Sequence, residues 1–175
     1  MTDFSYLNVD NAYKLINQKV TKTPLVTNDY INNLLEAEIY FKLENLQNTG
    51  SFKLRGATHK ITKLIENVKD SGVVAYSSGN HAQAVAYASM INSISAKIIM
   101  PKTAPQIKIE NTKNYGAEVI LYDTYFQNRE EIGIEIQKKD NRTLIKPYDD
   151  EDIIAGQGTA AIEIVNDLKE QSIEP

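Results

Sequence analysis

The 175 residues carry 19 Lys and Arg against 23 Asp and Glu, a net charge of −4, with 42% hydrophobic and 24% charged residues. That balance suits one globular domain of ordinary size, or one and a half small ones, burying its own core. It argues against a nucleic-acid surface, because no stretch concentrates Lys and Arg. The absence of cysteine removes disulfides, thiolate metal sites and a cysteine nucleophile. No window approaches the ~20 apolar residues of a membrane helix. Met1-Thr2-Asp3-Phe4 does not read as a signal peptide, so the expectation is a cytoplasmic protein without a membrane partner.

In chain order, the apolar spacing of Val9, Ala12, Leu15 and Ile16 predicts a helix over Asn8–Val20. Thr23 to Val26 reads as extended, since Pro24 biases Thr23 away from helix. A helix over Asp29–Leu35 follows, then a strand at Glu38–Leu43 with β-branched and aromatic content. Glu44 to Gly50 is a polar loop, and Ser51 is read as the cap of a helix from Phe52 to Val68. An alternation then begins, with strands at Val73–Tyr76, Ala96–Met100, Glu118–Tyr122 and Thr143–Ile145. Helices are expected at His81–Ile91, Gln106–Asn114, Gln127–Lys138 and Gly158–Leu168. Such alternation implies βαβ units, a parallel sheet with helices on both faces, and right-handed crossovers. The fold class is α/β, a doubly wound domain over about Gly72 to Lys146. Its edges fall in the polar, breaker-containing stretches 69–72 and 147–150.

Two stretches could carry chemistry. In Lys42 to Ala57 a strand ends, a loop turns at Gly50, and Lys53 emerges at the first turn of a helix. The helix N-terminal field and partial burial both disfavour protonation there, leaving a nucleophilic amine; the plain alternative is an ordinary surface lysine. Ser77-Ser78-Gly79-Asn80-His81-Ala82-Gln83 lies between a strand and a helix, where free amides bind anions such as a carboxylate. The alternative is a simple cap by Ser78 or Asn80. His59 reads as a surface residue. His81 has no acid or second histidine at ligand spacing, so no metal site is expected. Gly156-Gln157-Gly158 lacks both phosphate-loop and dinucleotide fingerprints.

Taken together, Lys-x-Glu-x-x-Gln-x-Thr-Gly-Ser-Phe-Lys-x-Arg-Gly-Ala at 42–57 and Ser-Ser-Gly-Asn-His-Ala-Gln at 77–83 resemble the cofactor-lysine motif and the substrate-carboxylate loop of fold type II pyridoxal-phosphate enzymes. The likeness is to the serine/threonine dehydratase and serine racemase members. It continues through Met100-Pro101, Ala104-Pro105, Tyr115-Gly116-Ala117, Asn128-Arg129-Glu130 and Ile154 to Thr159. It implies that Lys53 holds pyridoxal 5′-phosphate as a Schiff base and takes the substrate Cα proton. Phe52 would pack on the pyridine ring, and Asn80 would bond the ring hydroxyl. Ser77, Ser78, Asn80 and His81 would surround the substrate carboxylate, and Arg129 would approach the distal end of a dicarboxylate. Ser78 stands where racemases use a serine on the opposite face and where many threonine dehydratases have alanine.

The implied activity is dehydration of L-threonine or L-serine to a 2-oxo acid and ammonia, with serine racemisation as a companion reaction. The resemblance leaves open serine, threonine or hydroxyaspartate as the substrate. It assigns 1–69 to a large domain, 70–149 to a small α/β domain, and 150–175 to the start of the remaining large domain. Pro175 falls about halfway through the family's usual length, so the phosphate-gripping glycine loop and the metal carboxylates of the racemases would lie beyond it. An isolated chain is then expected to be inactive and to pair with itself or with the missing half. Two other readings compete: a cysteine or cystathionine synthase on the same scaffold, and a non-catalytic fragment that binds a partner chain.

Overall fold

The computed structural model describes residues 5–173. Met1–Phe4, read above as carrying no signal peptide, lie outside them, as do Glu174 and Pro175. In order come α1 (Tyr6–Ile16), β1 (Leu25–Thr27), α2 (Asp29–Leu35), β2 (Tyr40–Lys42), a 3-10 turn (Glu44–Leu46), α3 (Lys53–Lys63) and α4 (Ile65–Val68). There follow β3 (Val73–Tyr76), α5 (Asn80–Ile91), β4 (Ala96–Pro101), α6 (Gln106–Asn114), β5 (Glu118–Tyr122), α7 (Arg129–Asp140), β6 (Thr143–Leu144) and α8 (Glu151–Glu170).

Four strands form one sheet in the order β5-β4-β3-β6, every neighbouring pair parallel. Alternate residues leave a strand on opposite faces, and the core obeys this. Val73, Ala75, Ile98 and Met100 join the apolar cluster shared with α5. Val74 and Ile99 join a second cluster with Ile132 and Ile136 of α7. The sheet is thus covered on both faces, as the alternation predicts. Helix α5 lies between the sheet and α3, which explains why Ala82, Ala84, Ala86 and Ala88 are all fully buried: small side chains let a helix be enclosed on both sides. The same core runs on through Leu54, Ala57 and Ile61 of α3 to Ile153 of α8. Strands β1 and β2 form a separate antiparallel pair in which Val26 faces Phe41. Among the described residues no helix is long and apolar enough to cross a membrane.

Several boundaries differ from the sequence reading. The helix expected over Phe52–Val68 breaks at Leu64 into α3 and α4. Ser51 does not cap it, since the Ser51 hydroxyl is buried without a hydrogen-bond partner. Helix α8 begins seven residues before Gly158 because Asp150 caps it, its Oδ1 accepting from the amides of Asp152 (3.0 Å) and Ile153 (3.2 Å). Gly156 and Gly158, weak helix formers in isolation, serve close packing on α3 and α1 within α8. His59 is buried rather than at the surface, its Nδ1 donating to the Asp152 carbonyl at 2.7 Å.

Candidate active site

The strand order fixes where a ligand can sit. The chain leaves β3 toward β4 and β5 on one side and returns with β6 on the other. The connections diverge at the carboxyl ends of β3 and β6, and such a switch point opens a crevice. The turn Ser77–Gly79 leaves β3 at that place and runs into the N-terminus of α5.

Lys53, the first residue of α3, reaches the same crevice. Its Nζ donates to the carbonyl of Pro147, in the loop after β6, at 2.8 Å. It also lies 5.5 Å from the centre of the half-exposed Phe52 ring. No carboxylate among the described residues pairs with this ammonium, and burial holds its pKa below the usual lysine value. An amine bound only by a carbonyl and partly desolvated is easier to deprotonate than one locked in an ion pair.

His81 sits behind it. The ring is buried, and Nε2 donates to the Ile145 carbonyl at 3.1 Å. Burial pushes its pKa down to about 4, against the Ile145 hydrogen bond, and the Lys53 charge lowers it further. The ring is therefore neutral near pH 7, and Nδ1 is a buried acceptor without a partner among the described residues. Neither Ser78 nor Asn80 caps α5: its N-cap is Gly79, without a side-chain cap bond. Both side chains are exposed. Ser77 Oγ accepts from the Gly79 amide at 3.2 Å, and Asn80 Oδ1 accepts from Lys108 Nζ at 2.9 Å. Arg129 opens α7 at the same end of the sheet, its guanidinium 5.3 Å from the centre of the Tyr76 ring. Lys53, the turn 77–81 and Arg129 are thus gathered at one end of the sheet from three separate elements.

Sequence reasoning missed the scaffold beneath this. Arg55, fully buried, bonds Glu44 (2.7 Å to Oε1, 2.9 Å to Oε2) and Glu163 (2.8 Å to each oxygen). Burial alone would lower the Arg55 pKa, but the two carboxylates outweigh it and hold it above its ordinary value. Lys42 adds bonds to Glu163 (2.9 Å) and Asp167 (3.1 Å). Within the motif at 42–57, then, Lys42, Glu44 and Arg55 clamp the loop leading to Lys53, and Lys53 alone of its Lys and Arg residues faces the crevice. A sequence signal did exist, because Thr159, Glu163 and Asp167 recur every four residues on one face of α8. The carbonyls of Ile145 and Pro147 carried none.

The donor set fits a pyridoxal group: a primary amine free of carboxylates, an exposed flat ring beside it, and an orphaned buried acceptor at His81 Nδ1. Residues 16–174 match the family described as pyridoxal-phosphate dependent enzyme. The L-threo-3-hydroxyaspartate ammonia-lyase of Saccharomyces cerevisiae is 43% identical over 164 residues, 94% of this chain and 50% of that protein. The serine racemase of Schizosaccharomyces pombe is 44% identical over 164 residues, 94% of this chain and 51% of that protein. The crystal structure of serine racemase from Dictyostelium discoideum superposes with a TM-score of 0.88 at 40% identity, over 93% of this chain and 53% of that one. The chain spans about half the length of the curated relatives it matches. With the cofactor-lysine motif, the doubly wound sheet and the family match all over the same residues, this chain belongs to the pyridoxal-phosphate-dependent enzymes.

Proposed function

We propose that this chain carries the amine and the substrate-carboxylate turn of an ammonia-lyase acting on L-serine, L-threonine or a hydroxylated acidic analogue, with racemisation as a side activity. The observation that carries the reading is the convergence of Lys53 Nζ with the loop after β6, beside the turn that opens α5. Relatives named as serine racemase, threonine dehydratase and hydroxyaspartate ammonia-lyase support the reaction class.

Each residue has a task. The hydroxyls of Ser77 and Ser78 and the amides of Ser78, Asn80 and His81 hold the substrate carboxylate at the positive end of α5, while the Ser77 amide stays bonded to the Ile99 carbonyl (3.1 Å). Lys53 Nζ holds the cofactor and afterwards takes the proton from the substrate Cα. Phe52 would pack against the cofactor ring, and Asn80 would bond its hydroxyl. The Ser78 hydroxyl exchanges a proton at the other side of Cα, which makes racemisation possible. Arg129 meets a carboxylate at the far end of an acidic substrate. Pyridoxal phosphate, when bound, supplies a conjugated ring that takes up the negative charge left on Cα.

The proposal includes the domain division. Residues 1–69 and 150–175 belong to a large domain and 70–149 to the small one, with the remainder supplied by further protein. Exposed Val26 and Phe41 on β1–β2, and Tyr30 and Leu34 on α2, favour a covering partner, either a second copy or the rest of the large domain. The only closely spaced glycines after Lys53, Gly156 and Gly158, lie inside α8 and cannot grip a phosphate. Each charge-assisted hydrogen bond to that phosphate contributes about 1.5–3 kcal/mol, so these 175 residues alone bind the cofactor weakly and turn over slowly. This favours the second reading, a segment that is incompetent without its partner.

Two measurements test the proposal. Borohydride reduction after adding pyridoxal phosphate should leave a pyridoxyl group on Lys53, found by peptide mass spectrometry. Release of 2-oxo acid from L-serine, L-threonine and L-threo-3-hydroxyaspartate is then compared with a Lys53→Ala control. Labelling at other lysines only, or release that Lys53→Ala leaves intact, overturns the reading.

A further inference from the structure

Arg129 is placed where helix energetics do not want it. A cation in the first turn of a helix opposes the positive end of its dipole, and Arg129 is the first residue of α7. Among the described residues no carboxylate pairs with it within 4 Å, and the side chain is exposed. What it does touch is the ring of Tyr76, whose centre lies 5.3 Å from the guanidinium carbon. Tyr76 is the last residue of β3, one step before the carboxylate turn. Its ring lies over α7 one turn beyond Arg129, at Gly133, where an added Cβ would sit 3.2 Å from Tyr76 Cδ1. The missing side chain at Gly133 therefore lets the ring lie low across the helix, and the ring face meets the guanidinium. The other charged or titratable groups that interact with Tyr76 are Glu130 and Tyr148.

We infer that Tyr76, seated on Gly133, is a positioning residue that holds Arg129 beside the end of β3, and that it sets the preference for ligands with a second carboxylate. The inference rests on the reading of Arg129 given above. Without the ring, an unpaired arginine on a helix surface samples many rotamers, most pointing into solvent, and ordering it on binding costs entropy. With the ring, the guanidinium is held in place while its N–H edges remain free to bond a carboxylate.

The experiment titrates the 175-residue chain, with pyridoxal phosphate present, with malonate and with acetate, following amide chemical shifts of the turn 77–81. The unaltered chain should prefer malonate, and Arg129→Ala should erase that preference. Tyr76→Leu should lower malonate affinity about two- to fivefold, the scale of an exposed cation–π contact, while acetate affinity stays unchanged. Tyr76→Phe should restore the preference, and Gly133→Ala should weaken it by tilting the ring. If the unaltered chain shows no preference, or Arg129→Ala keeps it, the reading of Arg129 fails and this inference with it. If Arg129→Ala erases the preference but Tyr76→Leu retains it, only the positioning role is overturned. Loss of acetate binding in Tyr76→Leu would assign Tyr76 to the structure of the strand end and also overturn it.

Discussion

Gly156 of α8 faces Gly56 of α3 so closely that a Cβ on Gly156 would lie 2.6 Å from the Gly56 Cα and 2.8 Å from the Arg55 carbonyl oxygen. These are backbone atoms and cannot turn aside as a side chain can. Gly156→Ala should therefore push α8 away from the helix that starts at Lys53 and destabilise the fold by about 1–3 kcal/mol. Urea unfolding measures this, and an unchanged midpoint would show that the two helices separate freely.

The Arg55 network should be far more sensitive than a surface pair. Glu163→Leu leaves the fully buried guanidinium with one carboxylate instead of two. Removing one partner of a buried ion pair costs about 3–5 kcal/mol. Glu66→Ala breaks only the exposed Lys69–Glu66 pair and should leave the unfolding midpoint where it was. Equal effects from the two substitutions would mean that the network is well solvated.

His81 makes stability depend on pH. Its folded pKa of about 4 lies below the ordinary 6.5, so the unfolded chain binds the proton first as pH falls. The stability that goes with the neutral buried ring is complete above pH 6.5 and lost as pH falls toward 4. The whole shift corresponds to roughly 3 kcal/mol at 1.36 kcal/mol per unit, with about 2 kcal/mol gone by pH 5. His81→Gln should flatten the denaturation profile in that window. A variant that keeps the same slope would move the effect to other groups, His59 among them.

Lys53 should react as an unusually acidic lysine. Burial holds its pKa below 10.5, so its rate of modification by pyridoxal phosphate should reach half-maximum at a lower pH than that of a free model lysine such as Nα-acetyl-lysine amide. Competitive labelling followed by mass spectrometry gives both curves, and coincident midpoints contradict the expectation.

Ser78 offers a test of the reaction balance in a protein that contains this segment and turns over. With the exposed hydroxyl removed by Ser78→Ala, racemisation should fall by about two powers of ten or more, the scale of a lost proton-transfer group. Dehydration, which draws on Lys53, should fall less. Equal losses would assign Ser78 to carboxylate binding alone.

How much of this was readable in advance can be seen element by element. Strands β3 and β5 and helices α2 and α6 occupy the residues expected of them. Their signals are local: β-branched runs, a proline or glycine stop, and apolar spacing. The turn at Ser77–His81 was legible for the same reason, since a glycine between a strand and a helix determines its own geometry. The start of α8 was not, because its two early glycines are weak helix formers in isolation while their value lies in contact with α3 and α1, distant in the chain. His59 failed likewise, its burial coming from α8. The sequence by itself determined the alternation of strand and helix, the motif at 42–57 and the family it belongs to. Only the tertiary structure decided that Lys53 meets the Pro147 carbonyl, that His81 is held neutral, and that Arg129 rests on Tyr76. Those meetings join residues about 50 to 95 positions apart, and strand order in the sheet, which no local propensity encodes, brings them together.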